Sequence, residues 1–374
     1  MSTRAIDRLD DRFEADNAPA INVPDRVSFR EFMERDAQVL ITDERGHRRF
    51  VPYTTDGREP LAWVLDTIDE ILGSHTGKPL QDASLSVCGG AQFGKTIIAL
   101  HLKEYLPAQR GLHSYYVLPD NDLVSAIIDG KERPEVLDQI PWLNAMVTIG
   151  KEINESGKAV NRKGAMLFTD GQRAAMSYMR GMNKIPTSLS ADCVIQDESD
   201  DIAPDKQKFL PGRMSGSQLR FFFAVGTMRY HGAGQNKLFE DGSQHVGELT
   251  CPNCGKKINP EESWPQIARV AMDGTPARTD PQLTLVGDFK KDGRGETLAL
   301  FSHDDHYYFA CTDCGAELDR EKIDIQPRRP EMIARRKLSV RISQMCCSGL
   351  SVKMFVHDWC ENAVKDPDAM TAFR

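Results

Sequence analysis

The run Gly89-Gly90-Ala91-Gln92-Phe93-Gly94-Lys95-Thr96 fills every required position of the pattern G-x-x-x-x-G-K-[ST]. Its glycines let backbone N–H groups turn inward around phosphate oxygens, and the start of a helix adds a favourable field for anions. Lys95 can reach the outer phosphates of a nucleotide, and the Thr96 hydroxyl can ligate Mg2+. The chemistry this predicts is the binding of a nucleoside triphosphate, with ATP and Mg2+ as the expected ligands.

A second set of residues would act on such a ligand. Cys193-Val194-Ile195-Gln196-Asp197-Glu198 is a short apolar run that ends in two carboxylates. Asp197 is placed to hold Mg2+ through water, and Glu198 is the natural base for an attacking water. A further apolar run, Phe221 to Val225, ends at Gly226-Thr227-Met228, where Thr227 can sense the terminal phosphate. Arg229, His231, Gln235 and Asn236 follow and can face nucleotide or substrate. Transfer of a phosphoryl group also calls for an arginine, in cis or from a neighbour. Of Arg173, Arg180, Lys184 and Arg213, Arg180 is the one chosen.

A third set is metal chemistry. Cys251-Pro252-Asn253-Cys254-Gly255 and Cys311-Thr312-Asp313-Cys314-Gly315 are near copies of one another. Each C-x-x-C turn presents two thiolates, and two turns make a tetrahedral four-sulfur site, structural Zn2+ by default. An iron–sulfur site takes the same four ligands. Cys346, Cys347 and Cys360 lack ligand spacing.

Positioning these groups requires alternating strands and helices. Leu61, Val64, Leu65, Ile68 and Ile71 recur at helical spacing and predict a helix over 60–73. Strands are expected at 85–88, 114–118, 165–169, 193–195 and 221–225, with helices at 97–105 and 121–128. Continuously hydrophobic strands of this kind belong to parallel sheets buried on both faces. The expected fold is therefore α/β: a three-layer P-loop ATPase core of the additional-strand catalytic-glutamate type, carrying a small zinc-knuckle insert. The expected divisions are a lead-in segment over 1–59, the core over 60–246, the cysteine-bearing insert over 247–330, and the end of the core with an exit helix near 356–363 over 331–374. The lead-in carries a short helix and then a strand over 38–42.

Composition narrows the class. The chain has 374 residues, 40% hydrophobic and 27% charged, with nine cysteines and a net charge of −8. No apolar run approaches the roughly 20 residues of a membrane span, and Met1 to Asp11 lacks the apolar core of a secretory signal. Unevenly spaced cysteines without an export signal read as reduced thiols. The acidic balance excludes a protein that coats nucleic acid over its whole surface but leaves room for a local channel. Arg320 to Arg341 holds eight Arg or Lys against three Asp or Glu, and it reads as a strip that lines a DNA path.

The order of these features resembles the large subunit of tailed-bacteriophage terminase, of the lambda-like type. Ala91-Gln92-Phe93-Gly94-Lys95-Thr96 is similar to the family's phosphate loop. Met179-Arg180-Gly181 leading into Asp197-Glu198-Ser199-Asp200 is similar to its approach to the acid pair, and Val225-Gly226-Thr227 holds its coupling position. The stretch from Arg341 to Ser351 and the helix after it look like the family's exit from the ATPase domain. The resemblance covers roughly 60–374. It implies an ATP-driven motor that moves double-stranded viral DNA into a procapsid. Its partners would be the portal protein, the terminase small subunit and further copies of itself in a ring. Its place would be the cytoplasm of the infected bacterial host, transiently at the portal. It implies that Lys95, Thr96, Asp197 and Glu198 carry the hydrolysis, and that the C-terminal nuclease domain of the family is absent from this chain. The enlarged linker over 258–298 has no counterpart in the pattern. Two other readings use the same residues: a helicase-like, nucleic-acid-stimulated ATPase, and a non-catalytic zinc-containing DNA-binding adaptor.

Overall fold

The computed structural model describes residues 23–42, 45–90, 93–153, 164–170, 173–182, 189–264, 266–271 and 306–358. Ala91 and Gln92 of the glycine-rich run, most of the 258–298 linker, the end of the expected exit helix and the first part of the lead-in lie outside them.

Among the described residues fourteen strands follow in chain order. β1 (Gln38–Thr42) and β2 (Arg48–Pro52) form a separate antiparallel ribbon. β3 (Ser84–Gly89), β4 (Ser114–Leu118), β5 (Ala165–Thr169), β6 (Ala174–Gly181), β7 (Cys193–Asp197), β8 (Phe221–Gly226), β9 (His245–Thr250) and β10 (Lys257–Ile258) come next. β11 (Ala268–Ala271) and β12 (His306–Phe309) pair with each other, and β13 (Ile323–Pro327) and β14 (Lys337–Ile342) close the set. One ten-stranded sheet runs β10-β9-β14-β3-β8-β7-β4-β6-β5, with β13 also on β9. The strands from β9 to β6 are parallel neighbours, and antiparallel strands finish both ends. β4 and β7 are buried at every position, as strands covered on both faces must be.

Helices Phe29–Asp36, Glu59–Leu72, Lys95–Tyr105 and Pro141–Ile153 cover one face. Their apolar sides join Leu85, Val87, Tyr116, Ile195, Phe223 and Val340 in the main core. Ser28 caps the first of these helices, and Asp69 of the second accepts N–H groups of Phe29 and Arg30 at 2.6 and 2.9 Å. On the other face, residues 199–214 pack over Tyr115, Val117 and Val194, and helix Gly234–Glu240 lies across β3, β8 and β14.

The lysine at the end of the helix Lys95–Tyr105 is unusual. Lys103 is wholly buried with Glu104 and Glu132, and its ammonium donates to both carboxylates. Burial opposes charge on Lys103, but the two carboxylates outweigh it and raise its pKa. Burial drives Glu104 well above the usual carboxylate range, while Lys103 holds Glu132 below it. Burial thus favours a neutral carboxyl in this triad, and the Lys103 ammonium favours an ionised one.

Five strands of this sheet, β6, β9, β10, β13 and β14, lie outside the sequence reading. β6 was not among the expected strands, because its buried face is built from Ala175, Ser177 and Met179, a pattern of small residues with little apolar signal. The expected boundary at 247 falls inside β9, which is hydrogen-bonded to β14. The cysteine-bearing segment thus grows from the edge of the main sheet.

Candidate nucleotide and metal sites

β3 runs into Gly89 and Gly90, and the helix begins at Lys95. Gly94 sits between them at φ +83°, a left-handed conformation that favours glycine. The Lys95 ammonium curls back and donates to the carbonyls of Gly89, at 2.9 Å, and of Gly90. Burial lowers the Lys95 pKa, and Asp197 and Glu198 pull it back up. The lysine is therefore held at the mouth of the loop with two carboxylates in its field.

Asp197 closes the site from β7. The Thr96 hydroxyl donates to Asp197 Oδ2 at 3.1 Å, and the Glu198 N–H donates to Oδ1 at 2.9 Å. The phenol of Tyr116, on β4, donates to the same Oδ2 at 2.6 Å. Burial raises the Asp197 pKa, and the bonds from Tyr116, Thr96 and Glu198 act against that rise. A hydroxyl and a carboxylate this close, beside a lysine, are hard oxygen donors that fit Mg2+. Tyr116 escaped the sequence reading because it looks like one more core aromatic in β4. The available signal is that a buried phenol needs a partner.

Glu198 follows at φ +54°, a left-handed setting that a non-glycine residue adopts only when its surroundings impose it. Its pKa is raised, first by burial and then by Asp197, with Arg229 opposing. Arg229 Nη2 lies 3.3 Å from Glu198 Oε2, and its Nη1 lies 2.9 Å from Asp201. Asp200 accepts the N–H of Arg229 at 2.5 Å and of Gln235 at 2.6 Å. This contact leaves no space for a side chain at Gly234, where an added Cβ would come within 2.0 Å of Asp200 Oδ1.

Thr227 follows directly on β8, whose end lies between the glycine loop and the acid pair: Gly226 is level with Cys88, and Val225 with Asp197. Arg180 is elsewhere. On β6 it is level with Val117, which is level with Gln196. It thus shares a face with Gln196 and lies on the opposite face from Asp197, two strands away. The arginine found against the acid pair is Arg229.

The cysteines Cys251, Cys254, Cys311 and Cys314 converge, with all four sulfurs within 4.8 Å of one another. Cys251 and Cys314 Sγ are 3.5 Å apart, and Cys254 and Cys311 Sγ are 3.6 Å apart. A tetrahedron with Zn–S bonds of ~2.3 Å has edges of about 3.8 Å, so the set fits zinc. The two turns are built alike: Gly255 and Gly315 N–H groups bond back to the Cys251 and Cys311 carbonyls at 3.0 and 2.9 Å. Behind the sulfurs, Trp264, Phe309, Leu318 and Phe355 form a second core that takes in helix Val352–Asp358.

The basic stretch from Arg320 to Arg341 is largely engaged inside the chain. Arg320 donates to the carbonyls of Met345, Leu350 and Cys347 and lies over the rings of Phe309 and Phe355. Arg328 pairs with Glu262, Arg329 with Glu331, and Arg341 with Glu261. Arg336 donates to the Gln81 carbonyl at 2.6 Å. These bonds were invisible in the sequence because every partner except Glu331 comes from a distant or separate segment.

No protein-family profile and no curated protein matches the chain. Solved structures do resemble it. The HK97 bacteriophage large terminase aligns at 13% identity and a TM-score of 0.41, over 57% of this chain and 40% of that one. The Thermus phage P74-26 large terminase ATPase domain aligns at 16% identity and a TM-score of 0.30, over 52% of this chain and 81% of that one. A mutant of that domain gives 0.31. At these scores nothing of function carries across, and the chain's own residues have to supply it. Among the described residues no helix is long and apolar enough to cross a membrane.

Proposed function

We propose that the chain hydrolyses ATP as the motor of viral double-stranded DNA packaging. The observation that carries the ATPase reading is the bond between Thr96 and Asp197, made across a sheet in which β8 separates β3 from β7. An extra strand between the loop strand and the acid strand supports the additional-strand catalytic-glutamate reading, and Glu198 follows Asp197 directly after β7. The step from ATPase to packaging motor rests on the sequence resemblance, as do the portal, the small subunit and the ring.

In this reading Thr96 and Asp197 hold Mg2+, which when bound neutralises charge on the phosphates. Lys95, already turned toward the loop, leaves the glycine carbonyls for phosphate oxygens. Glu198 accepts a proton from water as the water oxygen bonds to the γ-phosphorus. The bond from phosphorus to the bridging oxygen breaks, and ADP leaves with the electron pair. Thr227 reports the loss of the terminal phosphate to the loop after β8. Arg180 is proposed to serve a neighbouring subunit's nucleotide, since it lies away from this one. The four cysteines are proposed to hold structural Zn2+.

The test is steady-state ATPase activity with Mg2+, with and without duplex DNA, beside Glu198→Gln. Turnover that vanishes in the variant supports the reading. Turnover that survives removes Glu198 as base. Strand separation of the duplex would favour a helicase.

A further inference from the structure

The Arg229 guanidinium bridges two carboxylates that belong to one turn. Its Nη1 lies 3.1 and 2.9 Å from the two oxygens of Asp201, and its Nη2 lies 3.3 Å from Glu198 Oε2. Its backbone N–H is fixed separately by Asp200. Asp200 also takes the Gln235 N–H, and Gln235 is fully buried with its amide on Ser86 Oγ and the Val87 carbonyl, at 3.0 and 3.1 Å. Arg229 is thus anchored at both ends. The anchor leads back, through Gln235, to the strand that carries the glycine loop.

We infer that Arg229 is a positioning residue for Glu198: clamped to Asp201 and Asp200, it fixes carboxylate oxygen Oε2 and leaves Oε1 for water. The inference rests on the reading of Glu198 as base. Among the described residues no protein group bonds to Oε1. The left-handed backbone at Glu198 aims the side chain, and the guanidinium holds its far end. The charged groups that face Glu198 are Asp197 from β7, Lys95 from the loop helix, Asp201 from the same turn and Arg229 from the loop after β8. The guanidinium is half exposed, with 46% of the side chain accessible, so its effect is smaller than that of a buried pair.

The test compares Arg229→Gln and Arg229→Lys with the unaltered chain. The readouts are steady-state kinetics with Mg2+ and ATP and equilibrium binding of ATP. Arg229→Gln is expected to lower kcat about tenfold or more while KM and ATP affinity stay within about twofold, and Arg229→Lys to restore much of kcat. An unmoved kcat overturns the inference. So does a loss of ATP affinity with a matching rise in KM, which would make Arg229 a phosphate contact. If turnover survives Glu198→Gln, the base assignment and with it this role fall. If Glu198→Gln is inactive and Arg229→Gln keeps full kcat, only the role of Arg229 falls.

Discussion

Replacing Lys103 by Met should destabilise the chain strongly, and by an amount that depends on pH. The substitution keeps the length of the side chain and removes the ammonium bonded to both Glu104 and Glu132, all wholly buried. Lys103 opposes burial at both carboxylates, and it holds the pKa of Glu132 below its ordinary value. An unpaired buried carboxylate takes up a proton instead of staying charged. At pH 8, holding a carboxyl of ordinary pKa ~4.3 in its protonated form costs about 5 kcal/mol, and at pH 5.5 about 1.6 kcal/mol. Removing one partner of a buried pair costs ~3–5 kcal/mol in general, which agrees with the figure at pH 8. That is a large part of a typical ~5–15 kcal/mol domain stability. The sign follows from linkage. In the variant the folded pKa of Glu132 is raised, so its contribution is intact below the ordinary carboxylate pKa and is lost as pH rises. Urea unfolding of both proteins at pH 8 and pH 5.5 measures the deficit. A deficit under about 1.5 kcal/mol at pH 8, or one equal at the two pH values, would refute the reasoning. Adding Glu132→Gln to Lys103→Met should remove most of the pH dependence.

Tyr116→Phe deletes one of the bonds that hold Asp197 ionised. At a net ~1.4 kcal/mol for a bond to a charged group, the Mg2+ concentration for half-maximal activity should rise about tenfold, and more at lower pH, with nucleotide affinity measured without metal unchanged. Purified chain should contain zinc by metal analysis, and Cys311→Ser should lose it. The loss should alter the near-ultraviolet dichroism of Trp264, which packs behind the sulfurs, while Lys95-dependent ATP binding persists. Arg320→Met should lower stability by about 3 kcal/mol in urea titrations, through three lost carbonyl bonds and two lost ring contacts.

The parts of the site that were legible in the sequence are those in which the chemistry demands adjacent residues. A phosphate cradle needs its glycines, lysine and threonine in one turn. The acids Asp197 and Glu198 need only the end of one strand, and each cysteine pair needs one tight bend. The strands beside them were legible where Val, Ile and Phe dominate, as in β7 and β8. What stayed hidden depends on pairing between distant segments. Tyr116 finds Asp197, and Arg229 finds Glu198 and Asp201, only once β4, β7 and β8 are side by side. β6 was hidden because Ala and Ser fill its buried positions. The continuity of β9 and β13 with the main sheet was masked by the cysteine turns between them. The partners of the basic stretch, such as Glu261 and Glu262, were hidden because net charge along a sequence says nothing about which side chains meet.

The strand that carries the glycine loop has a neighbour made much later. β3 pairs along its whole length with β14, and Cys88 donates to the Val340 carbonyl, 252 residues further on. At roughly 5–20 residues per second of synthesis, β3 waits about 10–50 s on the ribosome before that neighbour exists. Until then one edge of the strand is an unpaired ladder, open to other strands. Translation, and not only thermodynamics, therefore sets when the strand that carries the glycine loop is paired on both edges. Slow synthesis through the cysteine-rich segment would lengthen the interval in which that edge stays open.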